Sequence, residues 1–491
     1  MKKRIKKNSK AYRTINLISR TIAILLTIAV LGLFGFIIYL NVIPTKYIIG
    51  VGIFLLIVMI CTLFVLISNR IKAKWKITIS LMSLLIIGGI SFGMIFGFNI
   101  MSFLDDLASK DYMTENYYVI VLKDGIYSNL DDLSNSDMYL YDNNSEGVKK
   151  ALKEINKEVK VNITNSLDLS AMATSLLNKD VEAIIMESSY KSILDEQNEQ
   201  FKNGTKIVYT ISVKVATKTV LKEVGITQEP FVLYICGVDT YGPITSVSRS
   251  DVNIIATINP KTKQVLLTSI PRDYYVQLHN TNGYKDKLTH AGIYGVNMSI
   301  STIEDLLDID INYYTKVNFD SLIKIVDVLG GIDVYLENSF STPEYSFKSG
   351  YNHMNGKKAL SFSRERHAFL DGDRARGKNQ EAVIKAIIEK VSSPSVLTKY
   401  SSILNSLDGS FETNINSQNI KKLVKMQLND MASWNIVSSN LNGTDSSNFT
   451  YSFGQQMLYV MEPTQSTIDD AKAMMKKVKD GKTIVAKAEE Q

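Results

Sequence analysis

Cysteine and histidine are scarce in this chain of 491 residues, which has two cysteines and four histidines. Cys61 lies in a long apolar run and Cys236 in a strand-like segment, so no disulfide is expected and the folded part must be stable through its core alone. The cysteines and histidines show no metal-ligand spacing. The sequence also has no G-x-S-x-G motif, no Cys–His pair and no Walker-type loop, so nothing in it indicates a covalent enzyme intermediate.

Acidic residues are absent from the first 102 positions. Three uncharged apolar runs occupy this region, at about 21–40, 47–68 and 77–102, and each reaches the roughly 20 residues that a helix needs to cross a bilayer. A buried core helix or a signal peptide could explain one such run. Three runs in succession, the second starting soon after the first, predict three membrane-spanning helices instead.

The basic residues around these runs predict their orientation. The loop between the first two runs contains only Lys46, whereas the next loop contains four basic residues: Arg70, Lys72, Lys74 and Lys76. Residues 1–20 contain eight: Lys2, Lys3, Arg4, Lys6, Lys7, Lys10, Arg13 and Arg20. Because basic loops stay in the cytoplasm, the tail of residues 1–20 should be cytoplasmic, 21–102 should span the membrane, and 103–491 should be extracellular. The basic tail is expected to set this topology and to contact anionic lipid.

The charge outside the membrane argues against a nucleic-acid partner. Of the 55 basic residues, 42 follow position 102, together with all 49 acidic residues, which gives the external part a net charge of about −7. A protein that binds nucleic acid through its folded domains usually carries a basic field. No nucleic-acid binding is therefore expected.

The external part is predicted to contain two α/β domains. In residues 103–228, strand patterns near 117–123, 138–142, 159–164, 181–187 and 206–215 alternate with helix patterns near 147–155 and 168–178. No chemical constellation is present there, so this segment is interpreted as an accessory domain without catalysis, and a ligand-binding role stays open. Residues 220–230 are predicted to be a linker.

The second domain, residues 229–491, is predicted to have a central mixed sheet flanked by helices. FVLYICGV (231–238) has the length and composition of a central strand buried on both faces. Residues 251–273 are typical of a hairpin, and 331–337 and 449–463 also favour strands. Helical periodicity is found at 296–309, 319–330, 380–391 and 466–481.

Carboxylates and arginines should meet at one edge of that sheet. Asp239 follows the strand 231–238, at the carboxyl end where α/β sheets bind ligands. If opposed hairpin positions sum to about 522, Asp251 faces Pro271, which brings Arg249, Arg272 and Asp273 to the same open end. The simplest interpretation is that these four residues form a salt-bridge cluster. The group also suits a divalent cation with a phosphorylated ligand, because Mg²⁺ takes one or two carboxylates together with phosphate oxygens.

The stretch SFSRERHAFLDGDRARGKNQ (361–380) predicts an anion site. Arg364 and Arg366 are two apart, so an extended chain would turn both to one side. DGD (371–373) indicates a turn and N-cap, followed by a helix that begins near Arg374 or Arg376 and places Arg376 and Gln380 on one face. Guanidinium forks match phosphate well, so a pyrophosphate is the expected ligand, with a solvated charge run as the alternative.

Several of these segments resemble the LytR-CpsA-Psr family. They are CGVDT (236–240), SRSDV (248–252), SIPRD (269–273), DKLTHAGIYG (286–295), NFDSLIKIVDVLGGIDV (318–334) and SRERHAFLDGDRARGKNQ (363–380). The resemblance covers about 229–480, and three spans followed by an accessory domain are similar to the capsule-linked CpsA branch. It implies a phosphotransferase that moves a glycopolymer, capsular or teichoic-acid-like, from a polyprenyl-pyrophosphate carrier to peptidoglycan with Mg²⁺ or Mn²⁺.

The resemblance also implies roles for individual residues. Asp239 and Asp251 would hold the metal, with Arg272 and Asp273 also in the catalytic group. The pyrophosphate would be bound by Arg249, Arg272, Lys287, Arg364, Arg366, Arg374, Arg376 and Gln380. Many relatives end the last motif in Arg-Gln, whereas this chain has Asn379 before Gln380, which puts a phosphate contact by position 379 in doubt.

The implied partners are the lipid-linked polysaccharide, peptidoglycan, membrane lipid and other capsule-assembly membrane proteins, at the surface of a Gram-positive cell. Two alternatives stay open at this point. One is a polyprenyl-pyrophosphate phosphatase that uses the same site with water as the nucleophile. The other is a non-enzymatic regulator of capsule or envelope expression, which the predicted orientation and the acidic outer domain disfavour.

Overall fold

The computed structural model describes residues 10–106, 112–216, 222–238, 244, 247–369, 372–393, 411–454 and 456–485. The chain divides into two compact units. The first comprises residues 1–106, 394–405 and 416–432, and the second comprises the remaining residues. Each unit is described separately below.

The first unit is built on three long helices: α1 (Lys10–Leu40), α2 (Thr45–Ile67) and α3 (Ala73–Asp106). All three are long and apolar enough to cross a membrane, with mean hydropathies of 2.7, 3.1 and 2.0 over their most apolar parts. Large apolar side chains such as Ile24, Leu56 and Leu85 are exposed along them, which water would disfavour and a hydrocarbon layer would accept. The prediction of three apolar N-terminal helices is confirmed.

The loop between α1 and α2 contacts a helix from much later in the chain. This helix (Ser417–Asp430) is numbered α13 in chain order. Lys46 Nζ donates to the Asn429 carbonyl at 2.7 Å, and Lys425 Nζ donates to Asn41 Oδ1 at 2.7 Å. α13 was not predicted from the sequence, although Ile420, Leu423 and Val424 have helical spacing.

The second unit begins with a five-stranded sheet in the order β3-β2-β4-β1-β5. Its strands are β1 (Tyr112–Leu122), β2 (Asp137–Tyr141), β3 (Asn162–Ser166), β4 (Ala183–Glu187) and β5 (Thr205–Ala216). β2 pairs in parallel with β3 and β4, and β1 pairs in antiparallel fashion with β4 and β5. The connecting helices are α4 (Glu146–Glu158), α5 (Leu169–Leu177), α6 (Ser188–Gln197) and α7 (Glu199–Gly204). The alternation predicted from the sequence is present, and α6 and α7 are additions that it missed.

A six-stranded mixed sheet follows, in the order β16-β11-β6-β7-β8-β17. Its strands are β6 (Phe231–Val238), β7 (Ser250–Asn259), β8 (Gln264–Ser269), β11 (Tyr313–Val317), β16 (Phe411–Thr413) and β17 (Asn435–Asn440). β6 lies in the middle, parallel to β11 and antiparallel to β7. The α/β class with a central mixed sheet is confirmed.

Helices and short strands surround this sheet. The helices are α8 (Leu288–Ala291), α9 (Val296–Leu307), α10 (Phe319–Val328), α11 (Gly356–Arg364), α12 (Asp373–Val391) and α14 (Gln465–Lys479). The small strands are β9 (Tyr275–Gln277), β10 (Lys285–Lys287), β12 (Ile332–Leu336), β13 (Phe340–Ser341), β14 (Ser346–Phe347), β15 (Gly350–Met354), β18 (Gly443–Phe449) and β19 (Met457–Pro463). Gly356 at the start of α11 fits tightly, because a Cβ there would lie 2.3 Å from the Ile323 carbonyl oxygen of α10. α10 and α11 therefore pack with their backbones close together.

The hairpin register differs from the predicted one by a single residue. β7 and β8 pair Ile254 with Ser269 and Asn259 with Gln264, so opposed positions sum to 523 rather than about 522. A longer turn at residues 260–263 causes the shift, since turn geometry sets the register of a hairpin. Extended beyond the paired residues, this register brings Asp251 opposite Arg272 instead of Pro271.

The five-stranded sheet and its helices share a hydrophobic cluster with later parts of the chain. One buried cluster combines Leu176 of α5 and Tyr190 of α6 with Ile293, Phe453 and Leu458 from the later part of the chain. In addition, the Val247 N–H donates to the Thr114 carbonyl at 3.0 Å. Both sheets belong to the same compact unit, so the division into two domains at residue 228 stays a prediction.

Candidate functional site

A cavity of about 980 Å³ opens beside the carboxyl end of β6, and we call it the large cavity. Its walls come from β6, β7, α10, α11 and α12. One part of its lining is charged and contains seven of the predicted site residues: Arg249, Asp251, Arg272, Arg364, Arg366, Arg376 and Gln380. The rest combines polar side chains, such as Glu344 and Lys357, with a large aliphatic group from β6, α10 and α12: Leu233, Ile235, Leu322, Ile323, Ile325, Val383, Ile384, Ile387 and Ile388. A ligand that fills the cavity therefore meets cations at one end and hydrocarbon at the other.

Helix α12 shows how the sequence produces this division. Arg376 and Gln380 are four residues apart and both line the cavity, as the sequence predicts. The same face continues with Ile384 and Ile388, four and eight residues further on. The rise from Arg376 to Ile388 is about 18 Å at 1.5 Å per residue. One helical face thus changes from charged to apolar along its length.

The strand β6 and helix α10 complete the apolar wall. Leu233 and Ile235 alternate along β6 and line the cavity, whereas Tyr234 and Cys236 point to the opposite face and are buried in the core. Strand β6 was predicted to be buried on both faces. The structure corrects this, because one of its faces borders the cavity and is only half-buried.

Three arginines of the 361–380 stretch, Arg364, Arg374 and Arg376, lie in helices, and Arg366 lies in the segment that follows α11. Arg364 is the last residue of α11, so the predicted extended segment over Arg364 and Arg366 is wrong. The Arg364 guanidinium lies 4.3 Å from the centre of the Phe319 ring on α10, a cation–π contact that holds it at the cavity. The N-cap of α12 is Gly372, without a side-chain cap bond, and Asp371 lies outside the described residues.

Arg272 is the centre of a charged network at the cavity wall. Its side chain is only 10% exposed, and its NH1 lies 3.0 Å from Asp251 Oδ1. Its Nε lies 3.5 Å from Asp273 Oδ2, and Lys287 Nζ lies 3.0 Å from Asp273 Oδ1. Thr289 Oγ1 also donates to Asp251 Oδ1, at 2.9 Å. The alternating charges explain how so many cations can stand together without mutual repulsion dominating.

Glu196, on the last turn of α6, is a site residue that the sequence did not reveal. Its Oε2 pairs with Arg249 NH1, and its Oε1 accepts from Arg272 NH2 at 3.2 Å. Burial would raise the pKa of Glu196, but the Arg249 and Arg272 guanidiniums outweigh that effect and lower it. Glu196 precedes these arginines by 53 and 76 residues, and no local pattern in its polar helix marks it. Only the packing of the first sheet against the later part of the chain places it there.

A second cavity, of about 440 Å³, lies on the other side of Arg272, and we call it the side cavity. Asp273, Lys287 and Arg374 line it and do not line the large cavity. Arg374 NH2 donates to the Gly443 carbonyl at 2.8 Å and lies 3.4 Å from Asp445 Oδ1. Three side chains border both cavities: Glu196, Arg272 and Arg366.

The described residues fit a divalent cation in part. Oδ1 of Asp251 accepts a hydrogen bond from Thr289 and forms an ion pair with Arg272, whereas Oδ2 is buried and has no hydrogen-bond partner within the described part of the chain. Such an oxygen suits a Mg²⁺ or Mn²⁺ ion that completes its shell with phosphate oxygens and water. Asp239 lies outside the described residues. Within those that are described, no group of three or more His, Cys, Asp or Glu side chains could hold a metal ion.

Asn379, the position at which this sequence departs from the Arg-Gln pattern, does not point into either cavity. Its side chain is buried, and Nδ2 donates to the Phe362 carbonyl at 3.2 Å. This bond ties α12 to α11, so Asn379 acts in packing.

The profile of the LytR_cpsA_psr family matches residues 188–477. The chain belongs to this family. The match begins at α6 rather than near residue 229, so it includes Glu196.

Two curated relatives are transferases. The polyisoprenyl-teichoic acid–peptidoglycan teichoic acid transferase TagU of Enterococcus faecalis is 37% identical over 199 residues, 40% of this chain and 65% of the relative. The protein of the same name from Bacillus cereus is 35% identical over 229 residues, 46% of this chain and 71% of the relative. The chain thus covers slightly less than two thirds of the first relative.

Solved structures of two proteins are also similar to this LytR-CpsA-Psr chain. Bacillus subtilis TagV has 28% identity and a TM-score of 0.44, with 52% of this chain and 99% of the other covered. The protein gbs0355 from Streptococcus agalactiae has 28% identity and a TM-score of 0.45, with coverages of 54% and 93%.

The contact of Glu196 with two arginines gives a first testable prediction. Replacing Glu196 by glutamine is expected to tighten the binding of inorganic pyrophosphate about tenfold. The substitution removes a carboxylate that competes with pyrophosphate for Arg249 and Arg272, so these arginines no longer have to leave an ion pair before they bind the ligand. The Glu196 side chain is 40% exposed whereas Arg249 and Arg272 are 13% and 10% exposed, so the carboxylate is the partner that can move away. Calorimetric titration of the full chain in detergent measures the effect.

The matched control is Glu199→Gln, on the neighbouring helix α7. It removes the same charge close by, from a residue that makes no ion pair within the described part of the chain, and should leave the affinity nearly unchanged. Weaker binding in Glu196→Gln would show that Glu196 orients the arginines instead of competing for them.

Proposed function

We propose that this chain is a membrane-anchored phosphotransferase that moves a glycopolymer from a polyprenyl-pyrophosphate carrier to peptidoglycan. The observation that carries the proposal is the division of the large cavity into an arginine-rich end and an aliphatic end. A polyprenyl pyrophosphate has the same division, with a dianionic or trianionic head and a hydrocarbon tail. The names of the curated relatives describe transfer of a lipid-linked polymer to peptidoglycan, which supports the same conclusion.

The reaction is a displacement at phosphorus. A hydroxyl oxygen of peptidoglycan forms a bond to the phosphorus that bears the polymer, and the bond from that phosphorus to the bridging oxygen breaks. Polyprenyl phosphate leaves with the electron pair. Catalysis of this kind depends mainly on positioning and on neutralising charge, and little covalent help from the protein is needed.

The described side chains suit these tasks. Arg272 is mostly shielded from solvent, borders both cavities and presents a planar fork that can bind two phosphate oxygens at once. Arg364 and Arg376 approach the same end of the large cavity from two different helices. Asp273, held between Lys287 and Arg272, keeps these two cations in place.

A divalent cation is part of the proposal. Asp251, together with Asp239, would hold Mg²⁺ or Mn²⁺, which would neutralise charge on the diphosphate. Oδ2 of Asp251 is the atom that supports this assignment. The chain itself supplies the remaining positive charge through its arginines.

The site is proposed to lie on the outer face of the membrane. The excess of basic residues before the first apolar helix and between the second and third supports this, because basic segments stay in the cytoplasm. The polymer is proposed to be a capsular polysaccharide or a teichoic-acid-like chain, and capsule-assembly membrane proteins are proposed partners.

The test is a transfer assay with the full chain in detergent. A short polyprenyl-pyrophosphate oligosaccharide serves as donor and a peptidoglycan fragment as acceptor. We expect a phosphodiester-linked product with Mg²⁺ or Mn²⁺ and at least a tenfold loss when a chelator removes the cation. If the only products are free oligosaccharide phosphate and lipid phosphate, with or without acceptor, the chain is a phosphatase and the proposal is wrong.

A further inference from the structure

The proposed donor substrate occupies the large cavity but not the side cavity. With its diphosphate among the arginines and its tail in the aliphatic end, the donor accounts for the large cavity. The side cavity remains, with a volume of about 440 Å³ and a lining that is mostly charged or polar. Met461 is the one apolar side chain among the residues that line it, too little for a hydrocarbon tail.

The geometry of phosphoryl transfer indicates which reactant enters through the side cavity. The attacking and leaving oxygens lie roughly in line on opposite sides of phosphorus. The leaving group is polyprenyl phosphate, whose tail extends into the large cavity. Because Arg272 and Arg366 border both cavities, the reacting phosphorus belongs at the boundary between them. The attacking oxygen therefore arrives from the side cavity.

We propose that the side cavity binds the acceptor, a carbohydrate whose hydroxyl group attacks phosphorus at the boundary. This inference rests on the proposed function. In the step itself, the hydroxyl oxygen forms the new bond to phosphorus, its proton passes to solvent, and polyprenyl phosphate takes the electrons of the broken bond.

The wall of the side cavity carries the chemistry that recognises sugars. Tyr459 of β19 is 44% exposed there and presents an aromatic ring against which the apolar face of a sugar can pack. Its hydroxyl donates to Asp445 Oδ1 at 3.0 Å, and Arg374 NH2 lies 3.4 Å from the same oxygen. A carboxylate and a guanidinium beside a ring can together accept from and donate to neighbouring sugar hydroxyls.

Lys287 connects this wall to the reacting end. Its Nζ lies 5.8 Å from the centre of the Tyr459 ring and 3.0 Å from Asp273 Oδ1, next to Arg272. A sugar packed on Tyr459 thus lies one side chain away from the arginine network. Glu196 and Gln197 of α6 also line the side cavity, so the part of the chain that precedes the six-stranded sheet contributes to acceptor binding.

The experiment separates the acceptor from the other carbohydrate that could enter, the first sugar of the donor. Tyr459→Ala and Asp445→Asn are prepared in the full chain, and initial rates are measured while acceptor and donor concentrations are varied in turn. We expect the KM for the acceptor to rise about tenfold and the KM for the donor to stay within about twofold. The fraction of donor lost to hydrolysis should increase, because water replaces the missing hydroxyl.

Tyr351→Ala is the matched control, since Tyr351 is 79% exposed on β15 and lines neither cavity. A rise in the donor KM with an unchanged acceptor KM would assign the side cavity to the donor sugar and overturn the inference. Unchanged values for both substrates would exclude a sugar site there. If the unmodified chain forms no transfer product at all, the proposed function fails and not only the acceptor assignment.

Discussion

Replacing Arg272 by alanine is expected to lower the rate of transfer about 100- to 1000-fold, because the side chain that borders both cavities is lost together with its charge. Its guanidinium contacts Asp251, Asp273 and Glu196 at 3.0, 3.5 and 3.2 Å. Removal leaves these acids close together without their common cation. The measurement is the initial rate of transfer, with kcat and KM for the donor determined separately.

Two further variants test whether the loss of rate depends on the planar guanidinium and on the position of the charge. Arg272→Lys keeps the charge but loses the planar fork, so it should recover only part of the rate. Lys482→Ala removes a basic residue that is 69% exposed and lines neither cavity, and should transfer at the normal rate. A thermal melt shows whether Arg272→Ala is folded, and a folded variant with full transfer activity would mean that the site is placed wrongly.

The second large effect is expected at the aliphatic end of the large cavity. Ile384→Glu places a carboxylate on the apolar part of the α12 face, where a hydrocarbon tail would leave it without water or a partner. Because burying an unpaired charge costs several kcal/mol, the affinity for a long polyprenyl pyrophosphate should fall about 100-fold or more. Inorganic pyrophosphate, which has no tail, should bind as before.

The comparison between these two ligands is the internal control for folding. Ile207→Glu makes the same substitution on β5 at a side chain that is 41% exposed and lines neither cavity, and should change neither affinity. If Ile384→Glu weakens the binding of inorganic pyrophosphate as strongly as that of the long-chain ligand, the aliphatic end is not the tail site.

Many features of the site follow from rules that act within one element. The α12 face was predictable because Arg376 and Gln380 are four residues apart, and a helix repeats every 3.6 residues. The meeting of Asp251 with Arg272 was predictable because the two residues flank the open end of one hairpin. Three apolar runs were sufficient for three long helices.

Two predictions about local structure were wrong, and each error has a structural cause. The spacing of Arg364 and Arg366 suggested an extended chain, but the apolar residues Leu360 and Phe362 pack in the core and continue α11 to Arg364. The turn between β7 and β8 shifted the register by one residue, which the strands alone could not show.

The amino-acid sequence by itself determined the three apolar helices, the α/β class, the strand that carries the site and the arginines gathered near residue 370. Tertiary structure alone decided which of these cations share a cavity, that the cavity continues into an aliphatic end, and that Glu196 reaches Arg249 and Arg272. The physical reason is that periodicity and turn chemistry act over a few residues. The approach of α6 to the later part of the chain depends instead on a buried cluster that includes Tyr190, Ile293 and Phe453. These residues are far apart in the sequence, so no local pattern predicts that they meet.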